Sequence, residues 1–286
     1  MPPTPTDTLL AVAAVGLAAG GLGAVLGIGG GVLIVPVLVV GFGVPVHYAI
    51  ATSIVTVIAT SCAAAGTNVE RGTANMRLGM TLEVATTLGA IAGGLTAGWV
   101  EPRVLEGLFA VVLVPTAVVM WRRAGGEGDA GATAGPGSES ESIGALGGTY
   151  AERPGGPRVG YRVRRVWAGL GISFLAGSLS GLLGIGGGAF KVPALHLACG
   201  VPIKAAAATS NFMIGVTAAA SAFLYYGRGQ VRPALTAAAV LGVLAGSAAG
   251  AAASPYVGGA VLRKLFAGLL VVVAGQMFYR ALSGRL

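Results

Sequence analysis

The sequence predicts an all-α polytopic membrane protein, built as two homologous repeats of four to five transmembrane helices with Gly-broken segments. Three observations carry that expectation. Of 286 residues, 55% are hydrophobic and only 10% are charged, whereas a soluble domain carries roughly 25% charged residues to cover its surface. Apolar runs long enough to cross a bilayer recur along the chain. The two halves also align without a gap when one is shifted by 157 residues.

The apolar runs of the first half are 8–27, 32–43, 46–69, 76–99 and 103–121, and those of the second are 166–183, 188–200, 202–227, 233–256 and 261–281. Four runs in each half have the ~18–25 residues that span a hydrocarbon core. The second run of each half is short, starts from a Gly cluster and contains Pro. It fits a half-helix, a re-entrant segment or a thin full crossing. Residues 1–123 thus form a first transmembrane repeat and residues 158–286 a second. Between them, 124–157 is rich in Gly, Ser, Pro and acidic residues. Such a composition buries too little apolar surface to offset its ordering entropy, which predicts a flexible linker.

The repeats share more than hydropathy. GIGGG at 27–31 aligns with GIGGG at 184–188, and eight of the twelve positions from Gly27 to Leu38 are identical. The register continues through Val44-Pro45 with Val201-Pro202, Ala51-Thr52-Ser53 with Ala208-Thr209-Ser210, and Arg71-Gly72 with Arg228-Gly229. Gly89 and Gly93 meet Gly246 and Gly250, and Leu108-Phe109-Ala110 meets Leu265-Phe266-Ala267. Internal duplication of this kind is common in transporters.

Several function classes are excluded or disfavoured. A net charge of +8 would suggest nucleic acid for a soluble protein. Here the cations flank apolar runs, where they face lipid headgroups, so no nucleic-acid partner is expected. Cys62 and Cys199 lack metal-type spacing and imply no disulfide framework. Met1 to Asp7 holds no Lys or Arg ahead of the first run, so no cleaved signal peptide is expected. Neither GIGGG copy ends in the Gly-Lys-Ser/Thr of a phosphate loop, and no soluble βαβ context supports a dinucleotide fingerprint. Carboxylates and histidines are too few for a metal cage. The chain is expected to be no enzyme and to need no cofactor.

Cation placement gives sidedness. Eight crossings would put thirteen Lys and Arg residues on one side and four on the other, with Lys191 internal; ten crossings would give twelve against five. Both arrangements place the central linker in the cytoplasm of a multi-pass protein of the cell (inner) membrane. Equally basic loops at Arg71/Arg77 and Arg228/Arg232 favour repeats of like orientation, hence eight full crossings plus two broken motif segments.

Candidate site residues cluster around the Gly motifs. Gly29, Gly30 and Gly31, with Pro36, and Gly186, Gly187 and Gly188, with Pro193, break the helix and start a new one. The amides and positive dipole end of that new helix favour an anion, although close helix packing explains a single motif as well. Thr52 and Ser53, with Thr209, Ser210 and Asn211, bring hydroxyl and amide groups to the next helix. They either bond their own preceding turn or complete the coordination of a tetrahedral oxyanion. Lys191 replaces the Ile34 of the first copy. A buried ammonium needs a partner or water, so Lys191 either neutralises an anionic substrate or snorkels to a headgroup. Glu83, two turns into its span with Val240 as repeat partner, is a candidate proton carrier, a partner for a buried cation, or an interface carboxylate. His47 and His196 lie near segment ends and are assigned no role.

The duplicated GIGGG-x(4)-P-x-L motif, the Thr-Ser near the next helix start and the basic loop between halves resemble the TauE/SafE family, also called the TSUP family of sulfite and organosulfonate transporters. The resemblance covers nearly all of the chain outside the linker. It implies a permease or exporter of small sulfur-containing anions such as sulfite or organosulfonates, driven by protons, with the motif residues falling on Gly27 to Gly31 with Pro36 and on Gly184 to Gly188 with Pro193. Lys191 departs from the apolar residue of the first copy, so the half-sites are unequal. Substrate identity and oligomeric state do not carry over. The rival classes are an anion channel and a non-transporting membrane scaffold. Paired Gly breaks favour transport over a scaffold.

Overall fold

The structure, a computed structural model, describes residues 6–26, 31–70, 72, 74–124, 146–151, 158–187, 191–192, 195–196, 198–253 and 259–283. The described residues are all-α apart from one hairpin. The helices of the first repeat are α1 (Thr6–Leu26), α2 (Gly31–Pro36), α3 (Val46–Glu70), α4 (Met76–Ala97) and α5 (Pro102–Ala124). Those of the second are α6 (Val166–Leu183), α7 (Ile203–Gly227), α8 (Pro233–Ala253) and α9 (Gly259–Ser283). A π-helical stretch, Val37–Gly41, continues α2.

Local sequence sets many of these boundaries. Pro45 and Pro202, repeat equivalents, directly precede α3 and α7, while α5 and α8 begin on Pro102 and Pro233. Proline suits a helix start, because its fixed φ is helical and its missing N–H would be unpaired there anyway. Asn75 caps α4 by accepting from Leu78 N at 3.0 Å. Spans Val46–Ala64, Met76–Ala97, Val166–Leu183, Ala205–Gly227 and Pro233–Gly250 are each long and apolar enough to cross a membrane. Exposed Trp99, Tyr226 and Tyr279 close helices at one end of the bundle, and exposed Trp121 and Trp167 mark the other, as expected for side chains at a lipid–water interface.

The repeats do not form separate halves. Helix α1 packs on α8, α6 on α4, α3 on both α7 and α8, α4 also on α7, and α5 on α9. Every one of these contacts joins one repeat to the other. The close approaches need glycine: a Cβ on Gly20 would collide with the Val243 carbonyl, and one on its equivalent Gly177 with the Thr86 carbonyl. Thr86 and Val243 are themselves repeat equivalents, so the two interfaces are copies.

Contact order gives the helix directions. Ala13, Leu17 and Gly21 of α1 lie against Gly242, Gly246 and Gly250 of α8, so α1 and α8 run the same way. Tyr48 and Thr52 of α3 meet Arg232 and Thr236 at α8, again ascending together. Likewise Gly89 and Gly93 of α4 meet Phe174 and Ser178 of α6, while Gly79 and Gly94 meet Thr209 and Leu224 of α7. Helices α1 and α3 are therefore parallel to each other, and so are α6 and α7. The motif segment between each pair carries the chain back through the bundle.

That result reverses the expectation of like-oriented repeats with eight crossings. The start of α3 sits beside the end of α4, with His47 Nε2 3.1 Å from the Ala97 carbonyl oxygen, so α3 opposes α4. Because α8 follows α3, α8 opposes its own equivalent α4, and the repeats are inverted. The α2 segment manages a full return although short, because all six of its residues are buried. Enclosed by protein, it need not match the thickness of lipid.

A paired element lies at the end of the segment expected as a linker. Helix α5 extends to Ala124, and strands β1 (Gly148–Ala151) and β2 (Arg158–Tyr161) pair antiparallel within the segment read as flexible and at its junction with the second repeat. An isolated two-stranded hairpin is marginal in water. This one is held by Asn75 Nδ2, which donates to the Leu146 carbonyl at 3.0 Å and to the Tyr161 hydroxyl at 3.1 Å. Residues 125–145 and 152–157 lie outside the described ones.

Candidate functional site

The two Gly motifs meet in the buried centre. Ser53 Oγ lies 3.0 Å from the Gly31 carbonyl and 2.8 Å from the Gly184 carbonyl. One hydroxyl on α3 thus touches the first motif and the second together. Gly184 ends α6 in a left-handed conformation, φ 68°, and Gly186 and Gly187 follow at φ 77° and 72°. Side chains rarely adopt this region, which is why the break is written in glycine. Gly186 lies against Val57 and Ile214, which are repeat equivalents, so it sits close to the axis relating the halves. Gly29, Gly30, Gly188 and Pro193 lie outside the described residues. Pro36 is buried at the end of α2, where the π-helical stretch begins.

Lys191 is 1% exposed and points inward, which removes the headgroup reading. Its Nζ donates to Thr217 Oγ1 at 2.7 Å and stands 3.8 Å from Glu83 Oε2. Thr217 Oγ1 lies 2.6 Å from Glu83 Oε1 and 2.9 Å from the Met213 carbonyl, and Thr87 donates to the same Oε1 at 3.1 Å. Glu83 is 6% exposed, and its Oε2 has no hydrogen-bond partner among the described residues. The two intramembrane charges singled out from sequence are therefore one cluster, set directly after the second motif: Lys191 N donates to the Gly187 carbonyl at 3.0 Å.

The cluster, drawn from Glu83 of the first repeat and Lys191 and Thr217 of the second, has no charged counterpart across the two-fold axis. Its repeat equivalents are Ile34, Val240 and Thr60, and Thr60 Oγ1 bonds back to Thr56 and Val57 carbonyls within α3. Charge thus breaks the two-fold symmetry at the centre. The full positive charge there is Lys191, whereas α2, with only six residues, contributes little macrodipole because that is built from aligned peptides.

The hydroxyl residues divide. Thr52 and Thr236 face each other at 3.4 Å. Thr209 Oγ1 accepts from Asn75 N at 2.9 Å, a structural tie between α7 and the start of α4. Asn211 is part-buried, and its carbonyl accepts from Ser61 Oγ. Ser210 is fully buried, and its Oγ has no partner among the described residues. Thr217 was missed in the sequence. It lies two helical turns beyond Ser210 on the same buried face of α7, but a lone Thr in a span ordinarily signals a bond to its own preceding turn.

Comparison with known proteins agrees with this architecture. The sulfite exporter TauE/SafE family matches residues 12–277. The chain is 25% identical over 275 residues to the probable membrane transporter protein YunE of Bacillus subtilis, covering 93% of this chain and 96% of that one. It is 26% identical over 209 residues to the probable membrane transporter protein MJ0441 of Methanocaldococcus jannaschii, covering 71% and 67% respectively. No solved structure matches. An inverted, glycine-laced helical bundle with a buried charge cluster beside paired Gly breaks, matched along nearly its whole length, leads to one conclusion: this chain belongs to the sulfite exporter TauE/SafE family and is a membrane transporter, not an enzyme.

Proposed function

We propose that the protein is a proton-coupled secondary transporter of small sulfur-containing anions of the sulfite or organosulfonate type, acting at a site between the two Gly motifs. The observation that carries this reading is Lys191, an ammonium buried beside the second motif and held only 3.8 Å from the carboxylate of Glu83. A charge pair buried at membrane depth is costly and marks a ligand site or a proton path. An anion entering the centre would meet Lys191, Ser210 and the backbone around Gly186 and Gly187. Glu83 would exchange a proton as that anion competes for the ammonium. Membership of the sulfite exporter TauE/SafE family supplies the substrate class.

The inverted repeats support ten crossings, with twelve Lys and Arg residues on the linker side against five opposite. On the positive-inside rule the linker is cytoplasmic in the cell membrane and both helical ends, Thr6 and Ser283, face outward. Proteoliposomes test the function. Labelled sulfite should accumulate in response to an imposed proton gradient, and Lys191→Met should abolish accumulation. Gradient-independent flux of sulfite would indicate a channel, and absence of flux for sulfite and sulfonates alike would sink the substrate class.

A further inference from the structure

Resting on the reading of this bundle as an oxyanion transporter, we propose that the Glu83–Lys191 pair selects the singly protonated, singly charged form of its anion. The anion donates its proton as a hydrogen bond to Glu83 Oε2 and accepts one from Lys191. Hydrogen sulfite is the form meant; fully deprotonated sulfite and sulfonates are the forms disfavoured.

The two oxygens of Glu83 are treated unequally. Oε1 receives Thr87 at 3.1 Å and lies 2.6 Å from Thr217 Oγ1, whereas Oε2 has no partner among the described residues. At 3.8 Å, Lys191 Nζ attracts Oε2 electrostatically but lies beyond hydrogen-bond reach. A buried carboxylate oxygen left without a donor is unfavourable. The ligand feature that relieves it is a donor. An ammonium has three donors and no acceptor, and among the described residues Lys191 places one of them on Thr217. A ligand that reaches both groups must therefore accept from nitrogen and donate to oxygen.

A fully deprotonated oxyanion can do only the first. Its remaining lone pairs would face Oε2, lone pair against lone pair, in a place with little water. Charge points the same way. An ionised Glu83 and a charged Lys191 sum to zero, so a monoanion leaves one buried charge and a dianion two. No other described charge faces the pair to absorb the second. Helix α6 carries no titratable side chain. Tyr225 of α7 donates to the Gly181 carbonyl at 3.0 Å, Tyr226 is exposed, and Cys199 lies beside Leu82.

The test is calorimetric titration of the full-length protein in detergent with sulfite, across pH values spanning the hydrogen sulfite/sulfite equilibrium. Methanesulfonate, a monoanion with no proton on oxygen to donate, serves as the control. Apparent sulfite affinity should fall about tenfold per pH unit above that equilibrium, because only the protonated fraction binds. Methanesulfonate should bind at least tenfold more weakly than hydrogen sulfite, with no such slope. In Glu83→Gln the amide supplies its own donor, so the sulfite slope should vanish and the preference over methanesulfonate should shrink. A flat wild-type profile, equal affinity for the two monoanions, or a wild-type slope retained in Glu83→Gln would each overturn the proposal. The transport reading would survive those results if proteoliposome flux persisted. Binding of neither anion would overturn both.

Discussion

Ser53 and Ser210 hold the same position in their repeats and have opposite hydrogen-bonding states. Ser53 lies against the Gly31 and Gly184 carbonyls at 3.0 and 2.8 Å, while Ser210 Oγ is buried with no partner among the described residues. The same hydroxyl thus serves as a structural tie in one half and is without a partner among the described residues in the other. Ser53→Ala should lower stability by about 1–3 kcal/mol, since it strands buried carbonyls. Ser210→Ala removes a buried hydroxyl with no partner to strand, so it should cost far less stability than Ser53→Ala yet weaken substrate binding. Thermal unfolding in detergent and sulfite titration separate the two, and equal losses of stability would contradict the distinction.

Removing one member of a buried charge pair strands the other. Lys191→Met alone should destabilise by roughly 3–5 kcal/mol, together with loss of transport. Lys191→Met combined with Glu83→Gln should recover most of that stability and none of the transport. Denaturation of the single and double variants side by side provides the check. A double variant no more stable than Lys191→Met would mean that the pair does not act as a unit.

Thr217 links the ammonium to the carboxylate, so its hydroxyl and its shape can be separated. Thr217→Val keeps the volume and removes the hydroxyl; transport should drop at least tenfold while the protein stays folded. Thr217→Ser should retain most activity. The measurement is initial uptake into proteoliposomes, and wild-type rates for Thr217→Val would remove Thr217 from the mechanism.

Inverted repeats make a topological prediction. A reporter inserted in the linker near Gly137 and one fused after Leu286 should report opposite sides of the membrane, with the linker inside. Matching sides would restore the eight-crossing arrangement.

Much of this protein was legible in its sequence. Duplication, the Gly breaks, and Lys191 and Glu83 as the telling charges all follow from composition and spacing. The orientation of the repeats did not, because thirteen against four and twelve against five cations are nearly degenerate. A short segment such as Gly31–Gly41 also reads alike whether it turns back or passes through. Only the order of contacts, Tyr48 to Arg232 and Thr52 to Thr236 with Gly79 to Thr209 and Gly94 to Leu224, separates the two. Thr217 was hidden for a different reason: its bond to the Met213 carbonyl is the ordinary fate of a lipid-embedded hydroxyl, and its second partner lies on another helix. The hairpin depends on Asn75, a tertiary anchor invisible to local composition.

The pairing of α1 with α8, and of α6 with α4, has a consequence for the origin of the chain. Neither half can cover its glycine-lined helices with its own residues; each requires a second copy lying the opposite way up. A precursor with one repeat would therefore have had to insert into the membrane in both orientations and associate as an antiparallel dimer. Fusion through a linker secured that opposition in one polypeptide. It also freed the two copies to diverge, so that lysine and glutamate arose on one side of the old symmetry axis alone. During synthesis the ancestral dependence persists: α1 emerges first but meets its main packing partner only when α8 follows.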